Sequence, residues 1–305
     1  MNRKKALLMA VVVLAGSVAG AGTYLILQSL FLRIALPSFP GELALSFLQP
    51  DPYSRIIVEV DWVSGQDPDA AALDTLKNRL ITYTHKEKVD IVLSDTMEVD
   101  ITLFSPNDLH SVETSYRDFD SGGDTLVLYV MYLPGSLEDS DKSLAVSYQG
   151  GSLAVFKEAV GRVARTTRTV SAQDVETSAL IHELGHLFGL VNIVYQSDLD
   201  YEDQEHPFHS TNRSCVMYWA IETGPFLTEK PPTDFGSEAS YDIAKLREGG
   251  YETSPSRLRE SSTMASFLSH VVDVRMQVAE GMRPIFLCSA GNPLEGDHGN
   301  RLRAD

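Results

Sequence analysis

"VETSALIHELGHLFGLVN", residues 175–192, is the stretch whose reading decides the rest of the chain. Leu180, Leu184 and Leu187 recur at helical spacing and are expected to face a core, in a helix that starts near Asp174. His182 and His186 stand four apart, so their imidazoles project one turn apart from the same face. Two neutral ring nitrogens placed that way can reach one Zn²⁺ at about 2.0–2.1 Å. Glu183 is rotated away from both and can stand beside a water at the metal without ligating it. There it can act as general base while the water attacks a carbonyl. The bland alternative is a helix with two exposed histidines and a glutamate on its polar side. An H-E-x-x-H run arises by chance in a chain of this length on the order of one time in a hundred.

Two nitrogens do not complete a protein zinc site, and the nearest polar residue after the helix, Asn192, is a neutral oxygen donor better suited to turn chemistry. Downstream lies "HPFHSTNRSCVMYW", residues 206–219, with His206 and His209 as candidate third ligands. Glu202 and Glu205 would serve if the third ligand were a carboxylate.

Gly185 and Gly189 carry the resemblance. Each costs helix stability, about 1 kcal/mol relative to alanine, so a geometric reason is expected. "HELGHLFGL" resembles the active-site helix of the metzincin zinc peptidases, H-E-x-x-H-x-x-G-x-x-H, in which the glycine lets the chain turn and a third histidine reach the metal. The segment His209, Ser210, four residues, Cys215, Val216, Met217 is similar to that of archaemetzincins, with serine where they carry a cysteine. The resemblance implies that His209 is the third ligand, displaced by an acidic insertion over 191–208, and that Met217 is the methionine packed beneath the site. It implies Zn²⁺ as cofactor, a peptide or protein as substrate, and Glu183 as the catalytic base. Two departures stand out: with Cys215 and Cys288 as its two cysteines, the chain lacks the second, cysteine-rich zinc site of archaemetzincins, and no cysteine precedes the helix to act as a propeptide switch. Glycine spacing and Met217 argue against a thermolysin-like arrangement using Glu202 or Glu205.

The chain has 305 residues, 43% hydrophobic, with a formal net charge of −17. That composition suits a globular core and argues against a nucleic-acid partner, which needs clustered Lys and Arg. The two cysteines could pair outside the cytoplasm or stay as small buried hydrophobes. At the amino end, "MNRKK" precedes a run without charge from Ala6 to Leu32, roughly 40 Å long as a helix and enough to cross a bilayer. An uncleaved anchor is the expected reading; a cleaved signal peptide competes, but would leave an apolar start on the mature protein. Arg3, Lys4 and Lys5 place the short end inside and the remainder outside the cell membrane.

Residues 1–36 are thus expected to be stub and anchor, 37–52 a Pro-rich linker, 53–288 the peptidase domain and 289–305 a disordered tail. The expected fold class is α+β: a twisted mixed sheet, the histidine helix, and a smaller helical part near 237–248 and 255–280. "SRIIVEVDWV" reads as a strand with Ile57, Glu59 and Asp61 on one face, 67–85 as a helix and "KVDIVLSD" as a strand. "SLAVSYQGGSLAVFKEAV" reads as two extended runs about Gly150 and Gly151. "DTLVLYVMYLPG", residues 124–135, is the strongest strand; by analogy with metzincins it could be the edge strand that pairs with substrate, an ordinary sheet strand being the alternative. Asp198, Asp200 and Asp203 in the insertion could hold Ca²⁺, but they lack an EF-hand pattern and a solvated loop is the favoured reading. A non-catalytic zinc-stabilised surface module, or a zinc hydrolase of non-peptide substrates, are the rival functions. Oligomeric state has no sequence signal.

Overall fold

Residues Arg55–Val63 form β1, and its Ile56, Val58 and Val60 are buried on one face, as a period of two requires. On the other face the carboxylates of Glu59 and Asp61 are buried as well. Glu59 accepts N–H bonds from Asp118 at 2.6 Å and Phe119 at 3.2 Å, and Asp61 accepts the Tyr129 hydroxyl at 2.7 Å. Buried carboxylates persist there because each is hydrogen-bonded.

The computed structural model describes residues 39–166, 169–221 and 230–254. The expected anchor over 6–32, the helical stretch 255–280, Cys288 and the tail lie outside them. Among the described residues no helix is long and apolar enough to cross a membrane. In chain order the elements are α1 Ala44–Leu48, β1, α2 Ala70–Thr84, β2 Lys88–Met97, β3 Leu103–Phe104, α3 Pro106–Tyr116, β4 Thr125–Leu133, β5 Ser136–Leu137, β6 Ala145–Gln149, β7 Ser152–Phe156, α4 Lys157–Thr166, α5 Ala172–Leu187, a 3₁₀ turn Trp219–Ile221, and α6 Ser237–Arg247.

The main sheet is mixed, in the order β2-β1-β4-β7-β6, and β3 pairs with β5 in a separate two-stranded ribbon. All neighbours in the main sheet run parallel except β6, which returns antiparallel to β7. Gln149 faces Ser152 across the Gly150–Gly151 turn, a two-residue connection suited to a tight hairpin. The order corrects one expectation. β4, the "DTLVLYVMYL" strand, is hydrogen-bonded to β1 on one side and β7 on the other, so it has no free edge. The antiparallel edge strand is β6.

Helix starts follow the chain's own signals. Asp69 caps α2 by accepting from the N–H groups of Ala71 and Ala72. Ser105 with Asp108 caps α3, and Ser171 with Asp174 caps α5, each through a reciprocal capping box. α5 packs against α2, α4 and the β6–β7 hairpin. Glu176, buried on α5, accepts the Asp69 N–H at 2.8 Å and the Lys157 ammonium, tying the entries of α2 and α4 to the histidine helix.

The expected linker over 37–52 is, from Phe39 onward, part of the packed body. Ala44, Phe47 and Leu48 on α1 are buried. The Lys86 ammonium donates to the carbonyls of Ser46 at 2.8 Å, Gln49 and Tyr53, which fastens α1 to the α2–β2 connection. Its apolar side chains at Leu43, Leu45, Phe47 and Leu48 outweigh the prolines that suggested a linker. α6 likewise joins this core through Ala239, Ile243 and Leu246.

Candidate metal centre

From Val175 to Leu187 every residue of α5 is buried, so the helix runs through the interior and the bland reading of two exposed histidines does not hold. It ends where the sequence placed a glycine. Gly189 has φ +71, its N–H bonds to the His186 carbonyl at 3.0 Å, and the Leu190 N–H reaches back to the Gly185 carbonyl at 3.1 Å. That pair of bonds is a Schellman stop, in which the left-handed residue is cheapest as glycine. Val191 and Asn192 follow with φ 53 and φ 66, and the first is uncommon for a β-branched residue. Packing holds it there, for Val191 is fully buried.

Asn192 does what its chemistry suggests at a turn. Its Oδ1 accepts the Ser197 N–H at 2.7 Å and its Nδ2 donates to Glu202 at 2.7 Å. Glu202 also accepts the Phe208 N–H at 3.0 Å, so it organises the loop instead of facing the histidines. Glu205 is exposed.

His182, His186 and His209 come together, each offering a ring nitrogen within 4.8 Å of the others, and among the described residues no other group of three candidate ligands does so. The Nδ1 of His182 lies 2.6 Å from the Val216 carbonyl, and the Nδ1 of His209 lies 2.9 Å from the Pro207 carbonyl. A carbonyl can only accept, so both Nδ1 atoms carry the proton and both Nε2 atoms present a lone pair inward. The Nε2 atoms of His182 and His186 are 3.1 Å apart. Two nitrogens bound tetrahedrally to zinc at about 2.0–2.1 Å would stand roughly 3.4 Å apart, close to that separation. The donor set and its spacing fit Zn²⁺.

His206, the competing candidate, is turned elsewhere. Its Nδ1 is 3.0 Å from Asp203, and its ring stacks on Trp219 with centroids 4.0 Å apart and planes at 5°. Burial pushes the Asp203 carboxyl up, but N–H donors from Glu205 and His206 together with the His206 ring outweigh it and hold it below its usual value. Asp198 pairs with Lys245. Among the described residues Asp198, Asp200 and Asp203 form no common ligand group.

Glu183 is buried beside the histidines, and its Oε2 accepts the Ser147 N–H at 2.6 Å. That N–H belongs to β6 and is turned away from β7. The contact holds the carboxylate between the histidine helix and the edge strand. It could not be read from the sequence, since it joins residues far apart in the chain.

Met217 lies directly under α5. A Cβ on Gly185 would fall 2.1 Å from the Met217 Sδ and 3.0 Å from Phe235, so only glycine admits the methionine. Cys215 is buried, which pushes its thiol up, and its sulfur accepts the N–H of Gly236 at 3.1 Å and of Met217 at 3.4 Å. The insertion is only partly the surface excursion expected. Val191, Ile193, Val194, Tyr195 and Tyr201 are buried in it. Asp242 of α6, fully buried, receives hydroxyls from Tyr195 at 2.8 Å, Ser197 at 2.9 Å, Tyr201 at 2.7 Å and Tyr251 at 2.6 Å. Burial and then the charge of Asp242 push the Tyr201 hydroxyl well above its usual range, and burial and then the hydrogen bond to Asp242 raise that of Tyr251. Sequence reasoning missed this hub; the clustering of tyrosines in "IVYQSDLDY" was its one signal.

No family model and no curated protein matches the chain. It is similar to two solved structures. One is archaemetzincin from Methanopyrus kandleri, at 15% identity and a TM-score of 0.41, covering 64% of this chain and 97% of that one. The other is metalloproteinase-II from Bacteroides fragilis, at 13% identity and a TM-score of 0.36, covering 70% of this chain and 58% of that one. Likeness at this level carries no weight for what the chain does, which rests on the geometry of its own residues.

Proposed function

We propose that the protein is a zinc-dependent metallopeptidase, held in the cell membrane by residues 6–32 with its catalytic domain outside. The observation that carries this is the convergence of His182, His186 and His209, with Glu183 buried on the same helix and not spent as a ligand. A structural zinc site closes its fourth position and has no use for a carboxylate base beside it. His182, His186 and His209 would hold the ion, and the carbonyls of Val216 and Pro207 would fix the tautomers of the first and last.

When bound, zinc supplies Lewis acidity toward a water and toward the carbonyl to be cleaved. Glu183 takes the proton from the attacking water and later delivers it to the leaving amine. Its Oε2 accepts the Ser147 N–H, which holds the carboxylate beside the histidines. Among the described residues β6 pairs with β7 alone, and its outward Ser147 N–H is held by Glu183, so an extended peptide laid along that side of β6 would carry its backbone past this carboxylate. This supports a peptide over a compact ester or sugar, and an edge strand reads main chain more than side chains.

The test is hydrolysis of a mixed peptide library by wild type and by Glu183→Gln. Cleavage by wild type, lost in Glu183→Gln while zinc is retained, supports the peptidase. A zinc-loaded wild type inert on every peptide overturns it in favour of a binding module.

A further inference from the structure

Asp242 is the buried polar group that the catalytic reading leaves without a task. It sits on α6, remote in sequence from the histidines, yet three of its four hydroxyl partners, Tyr195, Ser197 and Tyr201, belong to the insertion that separates Gly189 from His209. Each carboxylate oxygen takes two hydroxyls, so all of its strong acceptor positions on that side are used.

The route from this hub to His209 is short and hydrogen-bonded throughout. The Tyr201 carbonyl accepts the Thr211 N–H at 2.9 Å, and the Asp203 N–H donates to the His209 carbonyl at 2.7 Å. Glu202 and Ser210 form the antiparallel bridge between them. Residues 201–203 therefore back 209–211 as a strand fragment, and Ser210 continues to the Met217 carbonyl at 2.7 Å. A loop of this length, tethered only at its ends, would spread His209 over many positions and lose much of its effective concentration at the metal. Fixing Tyr201 fixes the fragment that carries the third nitrogen.

We infer that Asp242 is a positioning residue, which acts through the Tyr201 hydroxyl to hold the inserted loop so that His209 meets the metal. The inference rests on the zinc reading above, and the experiment separates the two. Zinc dissociation constants are measured on the full chain by chelator competition for wild type, Tyr201→Phe, Asp242→Asn and Tyr129→Phe. The visible spectrum of the cobalt-loaded forms is recorded alongside. Tyr201→Phe keeps the ring that fills the core and removes one hydroxyl. Tyr129→Phe removes an equally buried tyrosine–aspartate bond, to Asp61 on the sheet, that has no connection to the loop.

The expected result is a zinc dissociation constant raised about 10–100-fold in Tyr201→Phe, with an altered cobalt spectrum, and a change under about twofold in Tyr129→Phe. A Tyr201→Phe constant equal to that of wild type, or a loss matched in Tyr129→Phe, overturns the positioning role, since the hub would then be a stability device alone. Should Asp242→Asn fail to fold, the tyrosine pair still decides. No zinc in wild type overturns the zinc reading itself, and the positioning role with it.

Discussion

At the scale of single residues, the site divides labour among side chains that could not exchange places. His182 and His209 present Nε2 because carbonyls hold Nδ1–H, and in the proposed mechanism Glu183 moves the proton while the three histidine nitrogens hold the metal. Replacing Glu183 with Gln keeps the Ser147 contact geometry available and removes the base. Peptide hydrolysis is expected to fall on the order of 10²–10⁴-fold with zinc content unchanged, measured by turnover and metal analysis on the same sample. Gly185→Ala is a packing test. Its Cβ would overlap the Met217 Sδ, and thermal denaturation is expected to show a loss of about 1–3 kcal/mol. The two histidines, the glutamate and both glycines were legible in the sequence because helix periodicity is local. The role of the third histidine was legible only through resemblance, since nothing local distinguishes His209 from His206. What separates them is tertiary: His206 is spent on Asp203 and Trp219.

At the scale of elements, α5 is the part on which the site depends, and its start is set by Ser171 and Asp174. Ser171→Ala is expected to destabilise the protein by about 1 kcal/mol, read from urea denaturation. The Asp174 carboxyl is held below its usual value, first by the hydrogen bond from Lys230 and then by that from Ser171. A depressed acid contributes stability that is complete above its unfolded value and is lost as pH falls through its folded value. Stability curves of wild type and Asp174→Asn should therefore differ near neutrality and converge in strong acid. The same capping logic is present in "SPND" at 105–108, which starts α3, although the short apolar face of that helix gives it little periodic signal. β4 illustrates the opposite limit. Its composition declared a buried strand correctly, while its place between β1 and β7 depends on strand order, which alternation does not encode. A strand buried on both faces and both edges and an edge strand can share one pattern.

For the whole molecule, two separate ties converge on the histidine helix and a third fixes the insertion that follows it. Glu176 joins α5 to the entries of α2 and α4, Met217 wedges beneath Gly185, and Asp242 anchors the insertion to α6. The segment from Phe39 to Tyr53 belongs to this body through Lys86. Lys86→Met leaves those carbonyls without their donor, and a loss of about 1–3 kcal/mol is expected from denaturation. Such long-range ties escaped a linear reading: prolines over 37–52 suggested a linker, and acids over 191–208 a free loop, although Phe47, Leu48, Val194 and Tyr195 carried the contrary signal. The measurement that tests the central claim most directly is zinc content per chain in wild type, His209→Ala and His206→Ala. One zinc in wild type and in His206→Ala, with loss or marked weakening in His209→Ala, is the expected outcome. Zinc retained without His209, or lost without His206, would contradict the three-histidine site on which the account is built.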